Sequence, residues 1–350
     1  MTFSIASALN QIVRHEPLSH DQMKQAMQAI MSGETSHVQT AGFLAALRTK
    51  GETVEEVAAA ASVMRAFSTQ VSVAFPDLVD ICGTGGDGAH TFNISTTAMF
   101  VAAAAGAKVA KHGGRSVSSS TGSADLLEAI GINIHLSPEQ VAQSIQQVGV
   151  GFMFAQNHHP AMKHVAPVRK ELGVRTVFNI LGPLTNPAQA CHQLMGVFHS
   201  DLVSIQAEVL KQLGSKHVLV VHADSGLDEL DLCGQTQVAE LKQGMVSHYT
   251  VTAQQFGFQA YAADEVRAGI RATSVEESKE RMMQALDNQA GPARDIVAFN
   301  AAGALLAADC AANWQDAVAL SLKTLASGAA KQKLLDYTAV AQRLSEQTNK

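Results

Sequence analysis

The sequence predicts an α/β protein, with a small helical domain and a larger domain whose central sheet is flanked by helices. Within residues 1–70, apolar side chains recur at helical spacing, as at Met23, Ala26 and Met27. From residue 77 onward, short apolar runs alternate with helical stretches, which is typical of an α/β domain. The chain has 350 residues, 47% of them hydrophobic, which is enough for two domains and a substantial core.

Local signals predict where helices of the first domain begin and end. Thr53-Val-Glu-Glu56 is a capping box, in which the Thr and Glu side chains bond to free N–H groups at a helix start. Ser32-Gly33 is predicted to close an earlier helix. The stretch from Val71 to Pro76 is then the expected linker to the second domain.

The second domain contains five apolar runs that are predicted as strands. They are Leu78–Ile81, Lys108–Ala110, Ile132–Ile134, Gly151–Phe154 and His217–His222. Residues 234–252 can add strands after the fifth run. Capping boxes at Ser137-Pro-Glu-Gln140 and Ser274-Val-Glu-Glu277 predict helix starts, and helices are expected from Ser274 to the end.

Composition excludes several classes of function. The net charge of −6 argues against a general nucleic-acid surface, which needs a basic face. The four cysteines are scattered without a C-x-x-C pair, which disfavours a structural zinc site or a disulfide framework. The N-terminus lacks a basic leader before an apolar core, and the Ala-rich run at 98–105 is too short to span a bilayer. We therefore expect a cytoplasmic protein with no nucleic-acid or membrane partner.

Residues 80–97 form the most informative segment of the chain. An apolar run enters a loop with four glycines, hydroxyl side chains follow, and an Ala-rich helix comes next. Glycine lets backbone N–H groups approach an anion closely, and a helix N-terminus adds partial positive charge. The segment predicts a cradle for phosphate or pyrophosphate.

Two alternatives to this cradle are tight turns without a ligand and a dinucleotide site. Gly83, Gly85 and Gly88 spell G-x-G-x-x-G, which alone is weak evidence for a dinucleotide. Such a site also expects an acidic residue about 20 positions further on. That neighbourhood instead holds Lys108 and Lys111, which disfavours the dinucleotide interpretation.

A second loop-like segment, Lys111 to Asp125, follows the next predicted strand and carries basic and hydroxyl side chains. Ligands of open α/β sheets bind outside the carboxyl ends of strands, so this segment and the glycine loop are expected side by side. Lys111 and Arg115 can supply positive charge to a phosphate. The alternative is an ordinary solvated turn.

A third segment, from Asn157 to Arg175, is rich in His, Lys and Arg. Most of these side chains are expected to be structural or exposed, and His159 and His164 do not have the spacing of a zinc helix. Arg169 is the candidate for binding a carboxylate.

The fourth segment, Asp224-Ser-Gly-Leu-Asp-Glu229, places adjacent carboxylates just after a predicted strand. Carboxylate oxygens suit Mg²⁺, which often bridges to substrate phosphates, although a polar turn is the alternative. No nucleophile–base pair and no G-x-S-x-G elbow is evident. The four segments together favour displacement at a carbon that carries pyrophosphate.

The motifs resemble those of the anthranilate phosphoribosyltransferase family, in order and over most of the chain. The resemblance is carried by Gly-Thr-Gly-Gly-Asp at 83–87, Asn-Ile-Ser-Thr at 93–96, Lys-His-Gly at 111–113, Arg-Ser-Val-Ser-Ser at 115–119, Gly-Ser-Ala-Asp at 122–125, His-Pro-Ala-Met-Lys-His-Val-Ala-Pro-Val-Arg at 159–169, Asn-Ile-Leu-Gly-Pro-Leu-Thr-Asn-Pro at 179–187 and Gly-Leu-Asp-Glu at 226–229. It implies a Mg²⁺-dependent pentosyltransferase, usually homodimeric, which moves the phosphoribosyl group of phosphoribosyl pyrophosphate to anthranilate in tryptophan biosynthesis. It also implies a nucleoside phosphorylase/phosphoribosyltransferase-like fold. The helical domain would comprise 1–72 with part of about 165–188, and the α/β domain 77–164 and 189–350.

The resemblance also implies site residues. Those for phosphoribosyl pyrophosphate are Gly83, Gly86, Asp87, Thr91, Asn93, Ile94, Ser95, Thr96, Lys111, His112, Gly113, Gly114, Arg115, Ser116, Val117, Ser118, Ser119 and Ser123. Those for anthranilate are Gly83, Gly114 and Arg169, with Arg169 on the carboxylate. Ser95 would bind one of two Mg²⁺ ions and Asp228 with Glu229 the other.

Two positions depart from the family pattern. In the family, an Asn at the position of Gly114 usually contacts anthranilate, so the glycine predicts weaker anthranilate binding. Ser120 stands where Lys is common. The rival functions are a related pyrimidine nucleoside phosphorylase, a non-catalytic nucleic-acid-binding relative and a dinucleotide oxidoreductase. The intact glycine and Asn-Ile-Ser-Thr motifs disfavour the phosphorylase, and the net charge of −6 with the intact Asp228-Glu229 pair disfavours the nucleic-acid-binding relative. The dinucleotide oxidoreductase remains a weak third alternative.

Overall fold

A computed structural model of the chain describes residues 3–115 and 121–347. Four helices come first: α1 Ile5–Ile12, α2 His20–Met31, α3 His37–Lys50 and α4 Val54–Ala66. Thr53 opens α4 with the predicted capping box, and Ser32 ends α2 as expected. Met23, Ala26 and Met27 are fully buried on one face of α2, which confirms the helical pattern.

A buried ion pair ties the start of α2 to α4. The Glu56 carboxylate has no exposed surface, and it accepts hydrogen bonds from the N–H groups of Leu18, at 2.9 Å, and Thr53, at 2.8 Å. Lys50 Nζ lies 2.8 Å from the second carboxylate oxygen. Glu56 is thus both a capping residue and a packed charge whose partners are all supplied by the helical domain.

The second part of the chain is built on one seven-stranded sheet. Its strands are β1 Leu78–Gly83, β2 Lys108–Gly113, β3 Val150–Phe154, β4 His192–Gly196, β5 His217–Ala223, β6 Thr236–Lys242 and β7 Met245–Val251. They lie in the order β3-β2-β1-β4-β5-β6-β7. β1 to β5 are parallel to one another, β6 is antiparallel to β5 and β7 is antiparallel to β6, so the carboxyl ends of β1 to β5 share one edge.

The remaining helices among the described residues include those that cover both faces of this sheet. They are α5 Ile94–Ala104, α6 Ser123–Ala129, α7 Pro138–Val148, α8 Ala155–His158, α9 Ala166–Leu172, α10 Phe178–Leu181, α11 Asp201–Gln212, α12 Ala263–Ile270, α13 Val275–Leu286, α14 Pro292–Ala307, α15 Trp314–Ala326 and α16 Ala329–Gln347. On one side α5 packs against α14 and α16, while on the other α11 packs against β5, β6 and α4. No helix among the described residues is both long and apolar enough to cross a membrane.

The segment around α10 packs against both the N-terminal helices and the sheet. Val177, Phe178 and Leu181 belong to the same buried apolar cluster as the residues of α1 to α4. The Arg65 guanidinium on α4 donates a hydrogen bond to the Leu184 carbonyl at 2.7 Å. This segment therefore connects the helical bundle to the sheet edge where the strands end.

One predicted strand is wrong, and one strand of the sheet was not predicted. Ile132–Ile134 is not a strand: both isoleucines are buried, but Asn133 accepts the His135 N–H in a local turn and no sheet pairing forms. Alternating burial thus imitated a strand. β4 was not predicted from the sequence, because it begins with two polar residues, His192 and Gln193, that are buried with hydrogen-bond partners on other elements.

The capping box predicted at Ser274 forms only in part. The Ser274 hydroxyl does accept the Glu277 N–H, as an N-cap should. The Glu277 carboxylate, however, accepts the N–H of Thr273 rather than that of Ser274. The helix starts where the sequence predicted, with the reciprocal bond moved by one residue.

Candidate active site

The predicted functional segments meet at the carboxyl edge of the parallel strands. β1 ends in the glycine loop, β2 ends at Gly113, β4 ends at Gly196, and β5 leads to the acidic turn with Asp228 and Glu229. This is the edge where open α/β sheets bind ligands.

The glycine loop is held open by its own backbone conformation and by Asp228. Gly85 and Gly86 have φ values of 65° and 80°, which side chains other than glycine rarely adopt. The Gly85 N–H donates to the Asp228 carboxylate at 2.7 Å. A Cβ atom on Gly83 would lie 2.6 Å from the same carboxylate, so this position admits only glycine without a shift.

The N-terminus of α5 faces this loop. Asn93 precedes the helix but makes no capping bond; its amide donates to the Thr121 carbonyl at 3.0 Å instead. The Thr96 hydroxyl in the first turn is buried and has no hydrogen-bond partner among the described residues. Thr91 pairs with Arg271 in an isolated bridge just before the helix. The first turn of α5 therefore combines the partial positive charge of a helix start with a buried hydroxyl that has no described partner, which suits an anion.

Ser95, Asp228 and Glu229 come together below the loop. The Glu229 carboxylate accepts the Ser95 N–H, and the Ser95 hydroxyl lies 3.2 Å from Lys111 Nζ. Asp228 lies against the glycine loop, and its backbone N–H is 3.5 Å from the Asp87 carboxylate. The Ser95 hydroxyl and the Asp87, Asp228 and Glu229 carboxylates thus lie along the same part of the cleft, linked by pairwise contacts.

This arrangement concentrates negative charge in a poorly solvated place. Burial raises the pKa of Asp228 well above its usual range, and the neighbouring Asp87 and Glu229 carboxylates raise it further. Burial also raises the pKa of Glu229 to about 8, although Lys111 favours its ionised form. Both side chains keep some exposure at the cleft, but their deep position makes desolvation the main cause. Carboxylate oxygens are hard ligands, and here their negative charge is only partly balanced by Lys111, so the group is suited to bind Mg²⁺.

Lys111 and Arg115 are not placed as two free cations of a loop. Lys111 lies inside β2 and is buried, donates to the Ile81 carbonyl and sits beneath the acidic group. Burial lowers its pKa, opposed by the nearby carboxylates. Arg115 is exposed and paired with Asp125 at 2.9 Å and Glu128 at 2.5 Å. Lys111 therefore balances the acidic cluster, and Arg115 would have to leave its partners to reach a phosphate.

The remaining part of this segment is only partly described. A Cβ on Gly113 would lie 2.5 Å from the Ser123 hydroxyl, so the chain passes close to the start of α6 there. At Gly114 a Cβ would meet only Ala155, at an ordinary 3.8 Å. Ser116, Val117, Ser118, Ser119 and Ser120 lie outside the described residues.

Arg169 lies on α9, on the side of the helical domain. Its guanidinium is 5.6 Å from the centre of the Phe178 ring and makes no hydrogen bond or ion pair with any described residue. Partial burial lowers its pKa. A half-buried guanidinium without a carboxylate partner is suited to bind an anionic group of a ligand.

Two contacts near the site were not predicted from the sequence. Arg175 donates to the Gly86 carbonyl at 2.5 Å while it stacks on Phe198 at 4.0 Å, and so fastens the glycine loop. His112 and His159 are buried with their Nε2 atoms 3.2 Å apart. Burial lowers the pKa of His159 to about 4, so this ring is neutral near pH 7. Only the density of basic residues at 157–175 hinted at these contacts.

Gly196 is a further residue that the sequence did not reveal. A Cβ atom there would overlap the carbonyl group of Asp228. The end of β4 and the acidic turn are therefore in direct backbone contact. Gly196 fixes the height of the Asp228 backbone above the sheet.

Comparison with known proteins agrees with this geometry. Residues 75–331 match the glycosyl transferase family, a/b domain, and residues 6–68 match the glycosyl transferase family, helical bundle domain. The anthranilate phosphoribosyltransferase of Chromobacterium violaceum is 57% identical over 97% of this chain and 98% of its own. That of Bordetella parapertussis is 52% identical over 99% and 100%.

Solved structures show the same fold. The crystal structure of the Thermus thermophilus anthranilate phosphoribosyltransferase is 42% identical, covers 96% of this chain and 99% of its own, and has a TM-score of 0.90. The Saccharomyces cerevisiae enzyme in complex with phosphoribosyl pyrophosphate and Mg is 26% identical, covers 97% and 98%, and has a TM-score of 0.87.

Proposed function

We propose that this chain, which belongs to the anthranilate phosphoribosyltransferase family, carries out that family's reaction in the cleft at the carboxyl edge of its sheet. It transfers the 5-phosphoribosyl group from phosphoribosyl pyrophosphate to the amine of anthranilate, and releases pyrophosphate. This is the second step of tryptophan biosynthesis from chorismate. The observation that carries the proposal is the meeting of Asp228, Glu229 and Ser95 beneath a glycine loop and a helix N-terminus.

Phosphoribosyl pyrophosphate is assigned to this cradle. The loop N–H groups at Gly83 to Asp87 and the first turn of α5 at Asn93 to Thr96 would donate to its phosphate oxygens. Thr91, His112, Gly113, Ser123 and the segment from Gly114 to Ser119 would complete the site. Lys111 lies too deep to grip a phosphate from a loop and instead compensates the charge of the carboxylates.

Ser95 on one side and Asp228 with Glu229 on the other would hold two Mg²⁺ ions. When bound, Mg²⁺ neutralises the pyrophosphate as it leaves. The structure of the yeast relative with phosphoribosyl pyrophosphate and Mg supports the use of this metal. The count of two ions is part of the proposal.

Anthranilate is assigned to the space between Arg169 and the glycine loop, with Gly83 and Gly114 beside it. The Arg169 guanidinium pairs with the anthranilate carboxylate and orients the amine toward the ribose. The amine nitrogen forms a bond to ribose C1 as the bond from C1 to pyrophosphate breaks, and the nitrogen then loses one proton. An aniline is uncharged near pH 7, so the attack needs no strong base.

We also propose that the chain forms two units, assembles as a homodimer and is located in the cytoplasm. Residues 1–72 with part of about 165–188 would form one unit, and residues 77–164 with 189–350 the other, joined by hinges that close over the substrates. A homodimer would use the helical unit, where Val13 and Val38 expose apolar surface. A cytoplasmic location fits the four free cysteines.

The products test the proposal. After incubation with phosphoribosyl pyrophosphate, Mg²⁺ and anthranilate, mass spectrometry should find N-(5-phosphoribosyl)anthranilate in amounts equal to the pyrophosphate released. Release of pyrophosphate without the amine product would mean that the chain hydrolyses the donor and that the acceptor assignment is wrong.

A further inference from the structure

A second group of metal-binding side chains lies at the opposite edge of the sheet from the cleft. Asp77 precedes β1, and Cys191 and His192 stand at the start of β4. One ligand atom from each lies within 4.8 Å of the others. The side chains assigned to Mg²⁺ in the cleft offer only oxygen atoms, whereas this group offers sulfur, nitrogen and oxygen.

The sheet register brings the three residues together. β1 and β4 are parallel neighbours with Val79 opposite His192, so the residues just before each strand lie side by side. The Cys191 thiol reaches across to the Pro76 carbonyl at 3.0 Å. The Lys216 N–H bonds the Cys191 carbonyl at 2.8 Å and extends the same edge to β5. Backbone pairing, rather than a flexible loop, therefore fixes the spacing.

Hydrogen bonding orients His192 as a ligand. Its Nδ1 lies 2.7 Å from the Ala307 carbonyl, which can only accept, so Nδ1 carries the proton. In the neutral ring the Nε2 lone pair then points toward Asp77, whose carboxylate oxygen is 3.5 Å away. A histidine that donates one N–H to a carbonyl and offers the other nitrogen is the usual arrangement at metal sites.

The 3.5 Å between His192 Nε2 and the Asp77 carboxylate oxygen also fits two ligands of one metal ion. Bonds of about 2.0–2.2 Å in a tetrahedron place two nitrogen or oxygen ligands roughly 3.3–3.6 Å apart. The side chain of His192 is only 3% exposed while that of Asp77 is 58% exposed. The third ligand, Cys191, is partly exposed, so an ion has a path from solvent.

A neighbouring group, His192, His217 and Asp309, is less suited to an ion. Both ring nitrogens of His217 already face carboxylates, Asp309 at 2.8 Å and Glu240 at 2.9 Å. The side of His192 nearest to Asp309 is Nδ1, which donates to Ala307. Of these two groups, the one with Asp77 and Cys191 presents the His192 ring nitrogen that does not face the Ala307 carbonyl.

We propose that Asp77, Cys191 and His192 bind a divalent transition-metal ion of the Zn²⁺ class at the amino edge of the sheet. Thiolate and imidazole donors select such an ion over Mg²⁺. The carboxylate and thiolate together match its two positive charges, and solvent supplies the fourth ligand. Lys216 Nζ, at 2.9 Å, holds Asp77 in the absence of the ion and competes with it. The ion joins the linker that precedes β1 to β4.

Cobalt titration of the whole, metal-free protein tests the site. Excess Mg²⁺ is kept in the buffer so that the oxygen donors at the cleft are saturated. Co²⁺ should produce the near-ultraviolet charge-transfer absorption of a cobalt–thiolate bond, saturating at one ion per chain, and Zn²⁺ should abolish it. A protein that shows no such absorption would overturn the proposal.

Three variants identify the ligands. Cys191→Ser should lose the cobalt absorption and weaken Zn²⁺ binding by at least about tenfold. Cys310→Ser, which changes another partly exposed thiol, should bind as the original chain does. Lys216→Gln removes the competing cation and should tighten Zn²⁺ binding several-fold.

Each variant can also contradict the proposal. If the absorption persists in Cys191→Ser, or disappears in Cys310→Ser, the thiolate is a different one. If Lys216→Gln leaves the Zn²⁺ affinity unchanged, Asp77 is not a ligand. Circular dichroism of each variant confirms that the fold is retained, so a loss of binding reports on the site.

Discussion

Replacing Gly196 with alanine should disable the active site without touching any ligand-binding side chain. The added Cβ would overlap the Asp228 carbonyl, and Asp228 Cα would lie 3.2 Å away. An ordinary contact between carbon and oxygen is about 3.2–3.5 Å, so β4 or the acidic turn must move by more than about 1 Å. Because Asp228 also receives the Gly85 N–H, the movement would disturb the glycine loop as well.

The expected effect on catalysis is large. A misplacement of about 1 Å in a catalytic group costs on the order of 100-fold in rate, which corresponds to about 2.7 kcal/mol. We therefore expect Gly196→Ala to lower kcat/KM for phosphoribosyl pyrophosphate by about 100-fold or more. Strain at the strand end should also lower the free energy of unfolding, by about 1–3 kcal/mol.

The assay is the Mg²⁺-dependent loss of anthranilate fluorescence, run beside thermal unfolding. Gly42→Ala, within α3, is the matched control. Its Cβ would lie 3.6 Å from the Leu9 side chain on α1, which is an ordinary contact, so activity should be unchanged. If folded Gly196→Ala keeps kcat/KM within about threefold of the original chain, the contact does not position the acidic turn.

Four further results are expected. Asp228→Ala combined with Glu229→Ala should cut kcat severely, because both carboxylates assigned to Mg²⁺ are removed. Mg²⁺ binding at pH 7 should release protons, since the Glu229 carboxyl has a pKa of about 8 and must ionise to coordinate; calorimetry in buffers of different ionisation enthalpy measures this. Gly114→Asn should lower KM for anthranilate by about two- to tenfold through one added hydrogen bond, since a Cβ there meets only Ala155 at 3.8 Å. Glu56→Ala should lower the free energy of unfolding by about 3–5 kcal/mol, because it strands the buried Lys50 cation, and denaturant titration measures this.

Each of these expectations can fail in a distinct way. Near-normal turnover of the double variant would contradict the metal role, and Mg²⁺ binding at pH 7 without proton release would mean that Glu229 is already ionised. An unchanged or higher KM in Gly114→Asn would contradict the proposed contact. Glu55→Ala, at an exposed neighbouring position, is the control for Glu56→Ala, and equal losses would mean that the buried ion pair is not the cause.

The position of the predicted site segments in the fold followed from the sequence because their signals are local. The glycine loop, the helix start after Asn93 and the Asp228-Glu229 pair each carry a signal within a few residues. Their common edge followed from the rule that parallel strands end together. The structure places them there, with Ser95 and Glu229 in contact.

What could not be predicted depends on contacts between distant parts of the chain. Gly196 matters only because the Asp228 backbone passes over it, and no local pattern shows that. Lys111 looked like a loop cation, but strand β2 continues through it and turns it inward. β4 begins with buried polar residues whose partners lie elsewhere in the sheet, whereas Ile132–Ile134 has the apolar pattern of a strand and no neighbour to pair with.

The most direct test of the central claim is anthranilate fluorescence in mixtures that omit one component at a time. We expect fluorescence to fall only when the protein, phosphoribosyl pyrophosphate and Mg²⁺ are all present. If fluorescence stays constant in the complete mixture while phosphoribosyl pyrophosphate still binds, the cradle assignment holds and anthranilate is not the acceptor, which would contradict the proposed transfer.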